Sequence, residues 1–273
     1  MNHGFAGAGR MGDPMVRRLL AAGHPVTVLT RSPDTHLDLA AAGAEVTADV
    51  TALANAVAVA VCVLKDEQVR SVCLDDGLLD AMAPGSVLIV HTTCSPRTVD
   101  LLGKHAEARD ITVVDAAVSG GPHDIAAGRL TVYAGGTDDA VRLVRPILAA
   151  YADPILHVGG RGAGQQVKLL NNAVFAANIG IVAQVVAVAA QLGIAEPGLL
   201  EALSAGSGAS RALQGIAATG SVAGFTARIG EFISKDLTVV RQVAADLGAD
   251  LGALDDAHRV LDGLLAEPDH PAS

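Results

Sequence analysis

Tryptophan is absent from this chain of 273 residues, and aromatic residues of all kinds make up only 2% of it. Hydrophobic residues still reach 51%, so the core must be built mostly from Ala, Val, Leu and Ile. A chain of this length is sufficient for two domains whose cores need no disulfide or metal to be stable.

Cysteine and basic residues are also scarce. The three cysteines, Cys62, Cys73 and Cys94, lack the spacing of a metal site, and their odd number argues against a disulfide framework. We therefore expect a cytoplasmic protein without a bound metal. Only 19 Lys and Arg oppose 29 Asp and Glu, and the formal net charge of −10 disfavours nucleic acid or an anionic membrane surface as a partner. We expect no removable targeting segment, because the first predicted strand directly follows Met1 and Asn2.

One apolar stretch, Ala173 to Ala195, has the length of a membrane span, which needs about 20 apolar residues. It is interrupted by Asn178, Gln184 and Gln191, is rich in Ala, and lacks basic or aromatic flanks. These features favour a helix buried on all sides, between domains and subunits, over one in a membrane.

The most informative motif is a glycine-rich segment, Gly7-Ala8-Gly9-Arg10-Met11-Gly12, between a short apolar strand and an apolar-periodic helix. This is the context of a dinucleotide-binding turn. Gly7 would permit the tight turn, Gly9 would let the backbone approach a pyrophosphate, and Gly12 would let helix and strand pack closely. Unpaired N–H groups at the start of the helix would bind the anion. We predict cofactor binding by every residue of this segment except Ala8.

A second predicted strand, Val26–Leu29, is followed by Arg31 and Ser32, about 20 residues after Gly12. An acidic residue at this place would accept hydrogen bonds from the ribose of NAD, whereas a guanidinium can bind the additional 2′-phosphate of NADP. We therefore predict NADP(H) as the cofactor, held in part by Arg31 and Ser32, with NAD(H) as a second cofactor. A solvated surface arginine is the alternative.

The first half of the chain alternates β-branched runs with amphipathic segments, which is typical of a doubly wound, mostly parallel sheet of the Rossmann type. From Gly164 onward every segment has a helical pattern, beginning with a long helix at 164–193. Glycines in Gly159–Gly162 favour a boundary there. The sequence thus predicts an α/β domain at residues 1–161 and an all-α substrate and dimerisation domain at 162–273, joined by the long helix. The clearest predicted strands are Ala58–Val63, Val87–Val90, Ile111–Asp115 and Leu130–Ala134.

Lys168 is the first candidate for proton transfer, since a nicotinamide cofactor needs a partner that moves the proton. It lies near the start of the long helix, and Asn172 follows four residues later on the same face. An ammonium among apolar neighbours exchanges protons more readily near neutral pH. The alternative is a helix-end lysine whose ammonium reaches water.

Ser119-Gly120-Gly121 is a candidate anion site, because successive glycines can turn backbone N–H groups inward and the Ser119 hydroxyl adds a donor. A carboxylate would fit there. A turn that needs positive φ angles would have the same sequence. Lys235 is a third candidate, for which a surface ion pair is the alternative.

Five motifs in order resemble the β-hydroxyacid dehydrogenase family, whose members include 3-hydroxyisobutyrate dehydrogenase, tartronate semialdehyde reductase and the glyoxylate/succinic semialdehyde reductases. The resemblance implies a Rossmann domain followed by an all-helical domain, usually in a dimer. The matching segments are Gly7–Gly12, Thr92–Pro96, Asp115–Gly121, Lys168 with Asn172, and Lys235–Leu237.

The resemblance also implies roles for individual residues. Lys168 would be the catalytic acid and base, and Asn172 would orient it or the substrate. Ser119, Gly120 and Gly121 would hold the carboxylate of a small substrate. The remaining implied contacts are Lys235 with substrate or cofactor ribose, and Val63, Leu64 and Thr93 with the cofactor.

This chain departs from the family pattern after the two glycines, where Pro122-His123-Asp124-Ile125 replaces a segment that usually contains Gly-Ala. His123 could face the substrate as a second titrating group, and a water-exposed loop histidine is the alternative. The usual proline of this loop is Ala117 here.

The residues and the resemblance together predict an NADPH-preferring oxidoreductase that interconverts a small β-hydroxy acid and its semialdehyde or keto acid. Two alternatives remain open. An imine reductase shares the two-domain plan but usually carries Asp or Tyr at the place of Lys168. A non-catalytic NADP-binding sensor would need no proton donor there.

Overall fold

The computed structural model of this protein describes residues 2–266. The chain divides into two compact units between Lys168 and Leu169. This division lies inside a helix, because backbone N–H groups at the start of that helix donate to the carboxylate of Asp115 in the first unit. The domain boundary after Arg161 stays a prediction.

The first unit contains an eight-stranded sheet with the strand order β3-β2-β1-β4-β5-β6-β7-β8. The ladders from β3 to β6 are parallel, whereas β7 pairs antiparallel with β6, and β8 runs parallel to β7. The predicted mostly parallel α/β sheet is therefore confirmed. The strands are β1 His3–Ala6, β2 Val26–Leu29, β3 Glu45–Thr47, β4 Ala58–Val61, β5 Val87–Val90, β6 Thr112–Ser119, β7 Leu130–Gly135 and β8 Ala152–Gly159.

The central strands are apolar along their whole length because helices cover both faces of the sheet. Every residue of β5 is buried. Val87 and Ile89 belong to one aliphatic cluster, and Leu88 and Val90 belong to the cluster on the other face, as the two-residue period of a strand requires.

Helices of the first unit follow most of its strands, and several begin at recognisable caps. Pro96 starts its helix directly after Ser95, whose Oγ accepts from the N–H of Arg97 at 3.2 Å. After β4 the chain forms a short α-helix, Asp66–Arg70, which is followed by a π-helical turn at Ser71–Asp75. The helices are α1 Gly12–Ala21, α2 Leu37–Ala41, α3 Asp66–Arg70, α4 Leu78–Ala81, α5 Pro96–Glu107, α6 Pro122–Ala126 and α7 Asp138–Leu148.

Strand β6 continues to Ser119, beyond its predicted end at Asp115. Its second half pairs with β7, from Asp115 opposite Gly135 to Ser119 opposite Thr131. Ala117 takes part in this ladder, so the two glycines that follow Ser119 leave from the end of a strand rather than from a loop.

The second unit is helical throughout its described part, as predicted, and its core is aliphatic, with Ile179, Leu213, Ile216, Leu237 and Leu261 buried together. The helix at Val222–Leu247 begins after Ser221, whose Oγ accepts from the N–H of Gly224 and caps it. The helices are α8 Ala163–Gln191, which starts in the first unit, α9 Glu196–Ala205, α10 Arg211–Thr219, α11 Val222–Leu247 and α12 Ala253–Ala266.

By length and composition, α8 is one helix of the described chain that could cross a membrane, with 44% of its most apolar window buried. One of its faces exposes an apolar stripe at helical spacing. We call this the α8 stripe, and it consists of Leu170, Val174, Ile181, Val185, Val188 and Leu192.

Candidate active site

The glycine-rich turn joins β1 to α1, and its three glycines have different surroundings. Gly7 has a φ of +96°, and a methyl group added to it would lie 2.5 Å from the carbonyl oxygen of Cys62. A methyl group on Gly12 would lie 2.1 Å from the carbonyl oxygen of Gly7. Gly9 is exposed and has open space beside it. Two glycines therefore permit close packing, and the third leaves backbone accessible to a ligand.

The N-cap residue of helix α1, Met11, makes no side-chain hydrogen bond to the N–H groups at the start of the helix. Such a terminus attracts anions through its N–H groups and its dipole. Arg10 is exposed beside it.

Arg31 and Ser32 are exposed shortly after the end of β2. The N–H of Gly7 donates to the carbonyl of Leu29 at 3.2 Å, so the two loops leave the sheet side by side. This brings Arg31 and Ser32 to the same end of the strands as the glycine-rich turn.

The loop after β4 is tied to the loop after β5. The Thr92 hydroxyl accepts from the N–H of Val63 at 2.9 Å and donates to the carbonyl of Val63 at 3.1 Å. Val63 also borders the turn, since a methyl group on Gly7 would lie 2.9 Å from its Cγ1. Thr93 is half-buried and Leu64 is exposed. Thr92 therefore holds the two loops together, and it is the neighbour of Thr93, which the resemblance implies as a cofactor contact.

Asp115 on β6 caps the start of α8. Its side chain is fully buried, and its two oxygens accept from the N–H groups of Gly162 at 2.7 Å and Gln165 at 2.8 Å. Burial raises the pKa of Asp115, and the backbone N–H groups oppose that rise. A carboxylate at a helix N-terminus is also stabilised by the helix dipole.

Gln165 connects α8 to the loop after β5 with both ends of its buried amide. Its Oε1 accepts from the N–H of Cys94 at 3.0 Å, and its Nε2 donates to the carbonyl of Thr92 at 2.8 Å. Lys168 follows three residues later, on the same helix face, and is half-buried. The predicted proton-transfer residue is therefore carried by a helix turn that is bonded to the Thr92 loop. The sequence analysis missed Gln165, because nothing in the local sequence shows that this amide is buried.

In the second unit, Asp236 connects two predicted site residues. Its Oδ2 accepts from Nδ2 of Asn172 at 2.6 Å, and its Oδ1 lies 3.3 Å from the ammonium of Lys235. Asn171 donates to Oδ1 of Asn172 at 3.1 Å. The sequence placed Asp236 in a matching motif without a role, whereas here it fixes the Asn172 amide and pairs with Lys235.

The predicted anion site at the end of β6 also contains the side chain of Asp124, to which the sequence analysis gave no role. Gly120 has a φ of +126° and is exposed, and Ser119 and Gly121 are half-buried. The N–H of Gly121 donates to Oδ2 of Asp124 at 2.8 Å. His123 is exposed on α6, a helix where the sequence indicated a loop.

A buried imidazole lies at the end of β5, beside the Thr92 loop. His91 donates from Nδ1 to the carbonyl of Ala116 at 2.7 Å, so its Nε2 accepts from the hydroxyl of Tyr151 at 2.8 Å. Burial lowers the pKa of His91 to about 4. The ring is therefore neutral near pH 7 and serves to join strands rather than to exchange protons.

Among residues 2–266, no group of three or more His, Cys, Asp or Glu side chains is placed to hold a metal ion.

Two known families match this chain, one over each half. Residues 2–159 match the family described as the NAD-binding domain of 6-phosphogluconate dehydrogenase. Residues 162–271 match the family described as the NAD-binding domain of NADP-dependent 3-hydroxyisobutyrate dehydrogenase.

Individual relatives agree with these matches. A 3-hydroxyisobutyrate dehydrogenase of Pseudomonas aeruginosa is 32% identical over 92% of this chain and 88% of its own length. An NAD-dependent L-serine dehydrogenase of the same organism is 34% identical over 77% of this chain and 71% of its own. The solved structure of Mycobacterium tuberculosis 3-hydroxyisobutyrate dehydrogenase with L-serine superposes with a TM-score of 0.86 at 28% identity, covering 97% of this chain and 94% of the other.

Proposed function

Because the chain belongs to the β-hydroxyacid dehydrogenase family, we propose that it interconverts a small β-hydroxy acid and its semialdehyde or keto acid, with NADP(H) as the preferred cofactor and Lys168 as acid and base. The NAD(P)-dependent class of the reaction follows from the family. The observation that carries the finer proposal is the attachment of the Lys168 turn, through Gln165, to the loop of Thr92 and Cys94.

The cofactor supplies or accepts a hydride when it is bound. In the reductive direction, Lys168 donates a proton from its ammonium to the carbonyl oxygen of the substrate, and in the oxidative direction the neutral amine removes the hydroxyl proton. Asn172, held by Asp236, orients the substrate or the lysine, and Lys235 binds a negative group of substrate or cofactor.

Preference for NADP(H) is supported by the positive charge of Arg31 beyond the end of β2. The exposed guanidinium of Arg31 follows β2, whose last carbonyl is bonded to the glycine-rich turn. A guanidinium there can bind a 2′-phosphate in a bidentate manner, whereas an acidic residue would repel it.

Lys168→Ala tests the catalytic part of the proposal. We expect kcat to fall about 10²- to 10⁴-fold, the usual contribution of a positioned acid and base, with little change in the Kd of NADPH. Turnover is followed by nicotinamide absorbance with small 3-hydroxy acids and semialdehydes, with NADP(H) and NAD(H) in parallel. Lys104→Ala is the control, because Lys104 is an exposed lysine of α5 that pairs with Asp100 at 2.8 Å. Turnover retained in Lys168→Ala would remove the lysine from the mechanism.

A homodimer or higher homo-oligomer in the cytoplasm completes the proposal. It is supported by the α8 stripe, in which Leu170 is 62% and Leu192 is 71% exposed. Contiguous apolar surface of this kind is typical of protein interfaces. A monomeric mass in sedimentation equilibrium at micromolar concentration would contradict it.

Imine reduction is the second candidate, and the contact of Asp124 with Gly121 favours it, since an imine needs no anion site there. Oxidation of NADPH by a cyclic imine, without turnover of any semialdehyde, would select this candidate. Tight NADPH binding without turnover of either class would instead indicate a sensor.

A further inference from the structure

The carboxylate of Asp124 lies against the two glycines that follow β6. Its Oδ2 accepts from the N–H of Gly121 at 2.8 Å. A methyl group placed on Gly120 would come within 2.8 Å of the same oxygen and 3.2 Å of the Asp124 Cβ. Gly120 has a φ of +126°, so the turn brings the backbone of both glycines close to one acidic side chain.

The origin of this contact is local. Pro122 begins α6, and Asp124 is its third residue, from which a side chain reaches back to the N–H of the residue before the helix. The contact has two consequences for a ligand. The N–H of Gly121 already has an acceptor, and any anion that replaced it would meet a carboxylate at a few ångströms.

Two like charges at about 4 to 5 Å repel each other strongly unless water screens them fully. Asp124 is half-buried, so screening by solvent is incomplete. A substrate carboxylate is therefore disfavoured at Gly121, whereas a group that donates a hydrogen bond to Asp124 is favoured.

We propose that Asp124 is a specificity-determining residue that excludes the substrate carboxylate from Gly121, so that the substrate presents a hydrogen-bond donor, a hydroxyl or an ammonium, to residues 120–124. The inference rests on the proposed function for the identity of the reaction. The substrate is then a hydroxy acid that carries a second polar group, and this group donates a hydrogen bond towards residues 120–124.

Asp124→Asn tests the inference, because asparagine keeps an oxygen that can accept from Gly121 and loses the charge. The control is Asp110→Asn, which changes the net charge equally at the opposite end of β6, about 23 Å away along the strand. Asp110 has a φ of +57°, a conformation that asparagine tolerates well.

The measurement is calorimetric binding of 3-hydroxypropionate and of its neutral analogue 3-hydroxypropanamide to protein saturated with NADP⁺. We expect Asp124→Asn to bind the carboxylate about tenfold more tightly, which corresponds to about 1.4 kcal/mol, whereas the amide, whose N–H groups can donate to Asp124, should bind no more tightly than before. Asp110→Asn should leave both dissociation constants unchanged.

An equal change for carboxylate and amide, or none for either, would show that Asp124 only caps α6. Failure of every variant to bind 3-hydroxypropionate would also overturn the inference, because removal of the charge should improve binding. Asp124→Ser, which offers another short acceptor, replaces Asp124→Asn if the latter does not fold. Since binding needs no turnover, lack of activity in the unmodified protein would refute the proposed function and leave this comparison valid.

Discussion

Gln165→Leu removes the two hydrogen bonds that join α8 to the loop after β5 and preserves the approximate volume of the side chain. The N–H of Cys94 and the carbonyl of Thr92 lose their partners. Cys94 is fully buried and Thr92 is 4% exposed, so water reaches these groups poorly. The substitution therefore tests how much a buried amide contributes to the site.

The expected loss of stability follows from the two unpaired groups. Each buried, unsatisfied backbone group costs about 1 to 3 kcal/mol, and we expect a total of about 3 kcal/mol, allowing for local relaxation. For a domain of this size, such a loss lowers Tm by about 6 to 12 °C. The same change frees the Thr92 loop from the turn that carries Lys168, so kcat should fall as well.

The assay is urea unfolding followed by far-ultraviolet circular dichroism, because the chain contains no tryptophan to report by fluorescence. Gln166→Leu is the matched control, since Gln166 is exposed at the next position of the same helix. It should change the free energy of unfolding by less than about 0.5 kcal/mol. If Gln165→Leu were no more destabilising than this control, the buried amide would not hold the loop.

Three further predictions concern the loops that would bind the cofactor and the buried imidazole of His91. Arg31→Asp should shift the ratio of kcat/KM for NADPH and NADH towards NADH by at least about tenfold, and an unchanged ratio would refute phosphate binding by Arg31. Gly12→Ala should destabilise the fold by several kcal/mol in urea unfolding, because its methyl group would lie 2.1 Å from the carbonyl of Gly7. Gly9→Ala, with open space beside it, should keep stability and weaken NADPH binding; equal destabilisation by both would contradict these roles. Burial lowers the pKa of His91 from 6.5 to about 4, so the unfolded chain binds a proton in this range and the folded chain does not. Stability is therefore full above pH 6.5 and falls by up to about 1.4 kcal/mol per pH unit between 6.5 and 4, and His3, whose pKa is lowered in the same direction, adds a further, smaller contribution because solvent screens it more. His91→Gln should reduce that slope, measured as urea midpoints at several pH values, and an identical slope would assign the pH dependence to other groups.

The parts of the fold that the sequence predicted correctly depend on local patterns. Strands β2 and β5 were predicted with their observed bounds, because short β-branched runs between turn residues have few other interpretations. The helical character of the second half likewise follows from periodicity and from the absence of strand patterns after Gly164. The family and the class of cofactor were also predictable, because the motifs occur in order along the chain.

The errors occur where a distant segment decides the local structure. β6 extends to Ser119 because β7 pairs with it, and no residue of β6 specifies that partner. The carboxylate of Asp115, far away in sequence, likewise caps the helix that begins at Ala163. Periodicity cannot detect a cap supplied from another strand.

The sequence alone determined the glycine-rich turn, the aliphatic strands, the helical second unit and the residue types available for cofactor binding and proton transfer. These properties depend on backbone freedom, on the spacing of apolar residues and on side-chain chemistry, all of which are set by residues close together in the chain. Only the tertiary structure decided three other features. The amide of Gln165 bonds the helix turn that carries Lys168 to the loop of Thr92. Asp236 joins Asn172 to Lys235, and strand β7 pairs antiparallel with β6. Most of these contacts join groups far apart in sequence, and each depends on which polar groups lose water together when the chain folds.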